Sequence, residues 1–93
     1  MKIRFSEKFI NDLSEQVVFI AKDKPKAARK FKNDLLRYIS KDLKTPFNFR
    51  KSIYFDDELI RDYIFKGYTI TFKVNLQKKE IIVFGFIKYK NSL

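Results

Sequence analysis

The fold is decided by residues 60–74, which read IRDYIFKGYTITFKV, together with residues 80–88, which read EIIVFGFIK. Gly67 accommodates a positive φ without strain, so Lys66-Gly67 predicts a tight turn between strands at 59–65 and 68–75. Residues 76–79, which read LQKK and are mainly polar, predict a second turn. The segment 81–87 is apolar on both faces, which is typical of a central strand. These patterns together predict three consecutive antiparallel strands.

The second of these strands has a period of two, which predicts one buried and one exposed face. We expect the buried face to hold Tyr68, Ile70, Phe72 and Val74, and the polar face to hold Thr69, Thr71, Lys73 and Asn75.

Two amphipathic helices precede the strands. Ser6 is a typical N-cap for a helix over 7–22, in which apolar residues recur every three to four positions. Pro25 is suited to the first turn of a second helix, which must end before Pro46. Residues 47–58 match neither the helical nor the strand period clearly, although the sequence is compatible with a strand near 50–54.

Residues 2–5 form a further strand candidate, which needs a later strand as its ladder partner. The order predicts a single α+β domain over 1–93 of the form β-α-α-β-β-β, in which a small, antiparallel-rich sheet packs against an N-terminal helical hairpin.

Composition excludes several chemistries. The chain has 93 residues, no cysteine and no histidine, so disulfides, Cys/His zinc sites and Ser-His or Cys-His catalytic pairs are ruled out. No motif indicates a cofactor or a metal. The acidic run 56–58 is interpreted as a solvated turn rather than a cation site. No apolar run approaches the length of a membrane span, and we expect a soluble, cytoplasmic protein with no membrane partner.

A formal charge of +10 favours polyanionic or acidic partners, although a solvated basic surface would look the same in the sequence. One set of cations lies in and near the strands, on the predicted exposed face and rim of the sheet: Arg50, Lys51, Arg61, Lys66 and Lys73. Together with Tyr63, these cations are a candidate surface for binding the target or a nucleic acid. A second set belongs to the helices and is a candidate surface for an acidic partner segment: Lys22, Lys26, Arg29 and Lys30.

The chain resembles the RelE/ParE superfamily, the toxins of type II toxin–antitoxin modules. The resemblance rests on Phe5-Ser6 at the entry to the first helix, Ala27-Ala28 in the second, and above all residues 60–74 and 80–84. It implies a toxin that forms a hetero-oligomer with a cognate, partly disordered antitoxin. It also implies one of two targets, since RelE-like members cut mRNA on the ribosome and ParE-like members poison DNA gyrase.

The RelE-like ribonuclease pattern matches this chain poorly. The Arg that such members place after the Gly-Tyr pair is Thr69 here, and their strand lysines correspond to Ile60 and Asp62. We therefore favour a ParE-like poison that acts by binding. Two alternatives remain: a decayed toxin that keeps only antitoxin binding, and a divergent ribonuclease. The catalytic candidates for the ribonuclease would be Lys73, Lys88, Tyr89 and Lys90.

Overall fold

The structure is a computed structural model that describes residues 1–88. Its elements follow the predicted order: β1 (Lys2–Phe5), α1 (Glu7–Ala21), α2 (Pro25–Asp42), a 3₁₀ turn (Pro46–Asn48), β2 (Ile60–Phe65), β3 (Tyr68–Asn75) and β4 (Glu80–Lys88). Tyr89 and Lys90 lie outside the described residues.

The four strands form one sheet in the order β1-β4-β3-β2. The strands β2, β3 and β4 make an antiparallel meander, as predicted. The first strand pairs with β4 in parallel, with Phe5 opposite Val83, which confirms that β1 takes a later strand as its partner. β4 has a strand on each side, as predicted for a central strand.

The β2–β3 turn has the geometry that the sequence predicts. Lys66 and Gly67 have φ values of 47° and 82°, so both turn residues are left-handed, as in the tight turns that match the twist of a hairpin. Glycine adopts this conformation at little cost, whereas Lys66 is held in it by the hairpin.

The helical hairpin packs on one face of the sheet. The Ser6 hydroxyl accepts a hydrogen bond of 3.0 Å from the backbone N–H of Phe9 and caps α1, while Pro25 begins α2. The helices cover a core of fully buried side chains: Phe9, Leu35, Ile39, Leu43, Ile70, Phe72, Val74, Ile81 and Val83. Within residues 1–88, no helix is both long and apolar enough to cross a membrane.

The polar face of β3 differs from the prediction. Thr69 and Thr71 are only 6% and 2% exposed, although alternation predicted that they face solvent. A β-bulge between β3 and β4 lies at Thr71, and a Cβ at Gly85 would lie 2.8 Å from that of Thr71. The two strands therefore approach closely here, and residues that precede β2 cover this face.

Asp34 joins the helical hairpin to the sheet. Its carboxylate accepts hydrogen bonds from Lys30 at 2.8 Å and Arg37 at 3.1 Å, and lies 3.8 Å from Lys66 in the β2–β3 turn. The hydrogen bond from Lys30 lowers the pKa of Asp34 below its usual 3.8, and the nearby charges act in the same direction.

We predict that Asp34→Asn destabilises the protein in a pH-dependent manner. A carboxylate whose pKa is lowered by folding stabilises the protein at pH values above the pKa that it has in the unfolded chain. This stabilisation is lost as the pH falls through the pKa of the folded state. Urea unfolding should show a clear deficit for the variant at about pH 7 and a smaller one at about pH 2.5. Asp23→Asn, in the exposed turn between the helices, is the control and should show little deficit at either pH. An Asp34→Asn deficit of equal size at both pH values would contradict the prediction.

Candidate functional site

The segment Arg50–Phe55, here called the strap, runs along the outer edge of β2 and onto the sheet face away from the helices. The backbone N–H of Ser52 donates to the carbonyl of Ile60 at 2.8 Å, and that of Asp62 donates to the carbonyl of Arg50 at 3.2 Å. Among residues 1–88, the only β-bridge of this segment joins Lys51 to Arg61. The strand considered near 50–54 is therefore a single bridge and not a strand. Further along, the Phe55 ring packs edge-on against Phe84 at 5.6 Å.

A buried carboxylate fixes the strap in place. The side chain of Asp62 has no exposed surface, and its oxygens accept from the Thr71 hydroxyl at 3.1 Å and from the backbone N–H of Ile53 at 3.2 Å. The guanidinium of Arg50 lies 3.5 Å away and supplies a positive charge. Since a buried charge requires donors and a partner, the strap and the sheet are joined at this residue.

The predicted basic surface of the strands is largely occupied by internal contacts. Arg61 has a side chain only 16% exposed, and it donates to the backbone carbonyls of Phe49 at 2.9 Å and Glu58 at 2.8 Å. Lys51 bonds to Asp56 at 3.0 Å, and this hydrogen bond raises the pKa of the lysine. These two cations therefore organise the segment before β2 rather than present free charge.

The other predicted cations on the strands also have carboxylate neighbours. Lys73 lies 3.7 Å from Asp57, and Lys66 lies 3.8 Å from Asp34. The acidic run 56–58 thus faces lysine and arginine. Among residues 1–88, no group of three or more acidic side chains is arranged to hold a metal ion.

The two described members of the catalytic candidate set lie far apart. Lys73 is opposite Ile82 in the ladder, whereas Lys88 is opposite Tyr68. The two positions are five residues apart along β3, which corresponds to about 17 Å along the sheet. Lys88 lies instead at the α1 side of the sheet, 6.0 Å from the centre of the Phe19 ring.

Tyr63 is not on the exposed face of the sheet, where the sequence analysis placed it. It is 7% exposed and belongs to the core between sheet and helices. Its hydroxyl donates to Asp42 at 2.6 Å, near the end of α2, and burial raises its pKa far above the usual value of 10.0. Its position in β2 puts it on the same face as Phe65, which is also buried.

The basic residues of the helices remain more accessible. All four predicted positions are exposed and lie around the α1–α2 turn: Lys22, Lys26, Arg29 and Lys30. Lys30 is bonded to Asp34. Within the part of the chain that the structure describes, the other three have no carboxylate within 4 Å, so they form a cationic end of the helical hairpin.

An apolar surface that was not predicted lies on the strap side of the sheet. Its members are between 42% and 66% exposed and are called here the open apolar face: Ile53, Tyr54, Phe55, Ile64 and Ile87. Ile53, Tyr54 and Phe55 are consecutive, and this apolar run in an otherwise polar segment is the feature of the sequence that could have indicated the surface.

Comparisons with known proteins are consistent with this architecture. The family model described as the ParE toxin of the type II toxin–antitoxin system parDE matches residues 3–90. The chain belongs to this family. Among solved structures, one described as the chromosomal ParDE toxin–antitoxin system from P. aeruginosa superposes with a TM-score of 0.76 at 18% identity, covering 97% of each chain. A search of curated proteins found no significant match.

Membership of the ParE family confirms the resemblance and the ParE-like branch that the sequence analysis favoured. The α+β order of helical hairpin and four-stranded sheet is that of the ParDE neighbour. As a ParE toxin, the chain is one component of a type II toxin–antitoxin system.

We predict that Asp62→Ala destabilises this ParE toxin by about 2–4 kcal/mol, because it leaves the Thr71 hydroxyl and the Ile53 N–H without their acceptor and Arg50 without its counter-charge. Asp56→Ala is the matched control, since it removes an ion-paired aspartate whose side chain is fully exposed, and we expect wild-type stability. Urea unfolding measures both variants. Hydrogen exchange at Ile53 should accelerate only in Asp62→Ala, and equal exchange rates in the two variants would contradict a role for Asp62 in holding the strap.

Proposed function

We propose that this ParE toxin inhibits growth by binding DNA gyrase and that a cognate antitoxin neutralises it. Family membership supports a toxin, and the separation of Lys73 from Lys88 supports action by binding. Phosphodiester cleavage requires an acid, a base and charge stabilisation within hydrogen-bond reach of one phosphate. Gyrase is cytoplasmic, so we also place the toxin in the cytoplasm.

The position that follows the Gly-Tyr pair supports the same interpretation. Thr69 is 6% exposed beneath the strap, where it has neither the charge nor the access of an arginine that contacts RNA. Asp62, at one of the positions where ribonuclease members carry lysine, is buried and anionic. Both replacements remove positive charge from the face that a ribonuclease would use.

Gyrase as the target leads to a prediction about which synthesis stops first. After induction, thymidine incorporation should fall before amino-acid incorporation, and gyrase-linked DNA breaks should accumulate. Lys73→Ala and Lys88→Ala should each retain toxicity within about tenfold, because neither would act as a catalytic group. An earlier halt of protein synthesis, with mRNA cut on ribosomes, would instead support the divergent ribonuclease. Normal growth with intact antitoxin binding would indicate a decayed toxin.

The cationic end of the helical hairpin is proposed as a contact for the acidic antitoxin. Lys22, Lys26 and Arg29 are exposed and have no carboxylate within 4 Å among residues 1–88, so they contribute to an attractive field for an anionic segment. Lys30 adds to the field while it remains bonded to Asp34.

We predict that the co-encoded antitoxin raises the melting temperature of the toxin, because a ligand that binds only the folded state stabilises it. Lys26→Ala/Arg29→Ala should slow association several-fold and weaken its salt dependence. The control is Lys41→Ala/Lys44→Ala, which removes the same charge from the other end of α2 and should affect association less. An unchanged melting temperature would contradict neutralisation by this antitoxin, and equal association rates in the two double variants would contradict the cationic contact.

A further inference from the structure

The outward face of α2 carries a stripe of cations along its whole length, here called the α2 stripe. With the exposed Asn33 included, its residues recur every three or four positions, which places them on one side of the helix. Lys44 continues the stripe just past the end of α2. All six cations are exposed: Lys26, Arg29, Lys30, Arg37, Lys41 and Lys44.

Both carboxylates of α2 are engaged by other side chains. Asp34 is 8% exposed, and three cations share it: two from the stripe and Lys66. Asp42 accepts a hydrogen bond of 2.6 Å from the hydroxyl of Tyr63, which belongs to the core. Four cations of the stripe have no carboxylate within 4 Å among residues 1–88: Lys26, Arg29, Lys41 and Lys44. The stripe therefore keeps a large excess of positive charge.

The two helices of the hairpin differ sharply in charge. The helix α2 contains six cations and two carboxylates, whereas α1 contains three carboxylates and one cation, Lys8. A soluble surface needs charge, but mixed signs serve that purpose as well as one sign does. The segregation of cations on α2 creates an extended field of one sign, which attracts a polyanion.

The length and charge density of the stripe match a nucleic-acid duplex. Lys26 and Lys41 are fifteen residues apart, which corresponds to about 22 Å along the helix. Double-stranded DNA carries one negative charge per about 1.7 Å, so a segment of this length presents about 13 phosphates. An acidic helix would present only about one carboxylate per turn of about 5.4 Å on the facing side. The duplex therefore offers several phosphates for each cation of the stripe.

The side chains of the stripe favour a duplex over a single strand. Proteins that bind single strands combine cations with exposed aromatic rings on which the bases stack. The stripe contains no aromatic residue. The neighbouring Tyr38 has the Arg37 guanidinium 5.1 Å from its ring centre and packs against Phe65 at 5.7 Å. The surface thus supplies charge without a platform for stacking.

We propose that the α2 stripe binds the phosphate backbone of double-stranded DNA without sequence preference. The choice of DNA rests on the proposed function, because gyrase acts on duplex DNA and a toxin bound to gyrase lies close to that duplex. Phosphate contacts fix the orientation of a protein on DNA but read no bases. Lys26 and Arg29 also belong to the proposed antitoxin contact, so the antitoxin and DNA compete for that end of the stripe. Lys41 and Lys44 lie at the other end.

The test measures the affinity of purified toxin for a fluorescent DNA duplex of about 20 base pairs, at salt concentrations between about 50 and 200 mM. Wild type should bind with a strong salt dependence, since each phosphate contact adds about −0.9 to the slope of log K against log salt. Lys41→Ala/Lys44→Ala should weaken binding about tenfold or more at the lowest salt and reduce the magnitude of the slope by about 2. Lys41→Arg/Lys44→Arg keeps the charge and should retain both the affinity and the slope.

The matched control is Lys2→Ala/Lys78→Ala. It removes the same charge from two exposed positions outside α2, neither of which has a carboxylate within 4 Å among residues 1–88. Its affinity for the duplex should stay within about threefold of wild type, because it leaves the phosphate contacts in place. Thermal unfolding of each free variant checks that it is folded.

Three results would overturn the proposal. The first is an absence of binding by wild type at about 50 mM salt. The second is an equal loss of affinity and slope in the two alanine double variants, which would show an effect of net charge rather than of the stripe. The third is tighter binding of wild type to a single strand, or to an RNA duplex, of the same length.

The proposed function and this inference can fail separately. If wild type does not bind the duplex, but thymidine incorporation still stops first after induction, the stripe is not a DNA contact and the gyrase target stands. If the duplex is bound through Lys41 and Lys44, but protein synthesis stops first, the DNA contact stands and the gyrase target fails.

Discussion

The buried carboxylate of Asp62 is the constraint on which the strap side of the sheet depends. A fully buried charge is tolerated only when donors and a counter-charge surround it. Here the Thr71 hydroxyl in β3 and the Ile53 N–H in the strap donate to it, and Arg50 in the strap supplies the positive charge. The strap must therefore cross this face. Once it does so, Thr69 and Thr71 are covered, and Tyr54 divides the remaining surface into two grooves.

The meander and the helical hairpin could be predicted because their signals are local. Gly67 marks the turn, β3 alternates with period two, and Ser6 and Pro25 mark the helix starts. The strap could not be predicted in this way. Long-range contacts position it, and its apolar residues follow neither the period of a helix nor the period of a strand. For the same reason, the alternation in β3 identified its polar face but did not show that the strap covers this face. Tyr63 was likewise predicted on the exposed face of the sheet, whereas it lies in the core.

Net charge favours acidic or polyanionic partners, but it does not locate the contact. The excess of ten positive charges spreads over the whole chain, and the sequence alone does not show which cations meet carboxylates. In the fold, Asp57 and Glu58 lie beside Lys73 and Arg61, so much of the predicted basic surface is neutralised locally. The cations without such neighbours among residues 1–88 include Lys22, Lys26 and Arg29 at the far end of the hairpin. Their position depends on the helix ends, which the sequence did indicate.

Binding and bond cleavage make different demands on the side chains of a sheet. Catalysis needs several groups to converge on one phosphate, whereas a docking surface needs only exposed apolar area and a suitable rim. In this ParE toxin the residue after the Gly-Tyr pair is a covered threonine, and a buried aspartate occupies the adjacent strand position opposite Thr71. Thr69 and Tyr54 line the same groove, so an arginine at position 69 would share that space with the tyrosine ring. The strap, which Asp62 holds in place, thus covers part of the face on which a ribonuclease would carry that arginine.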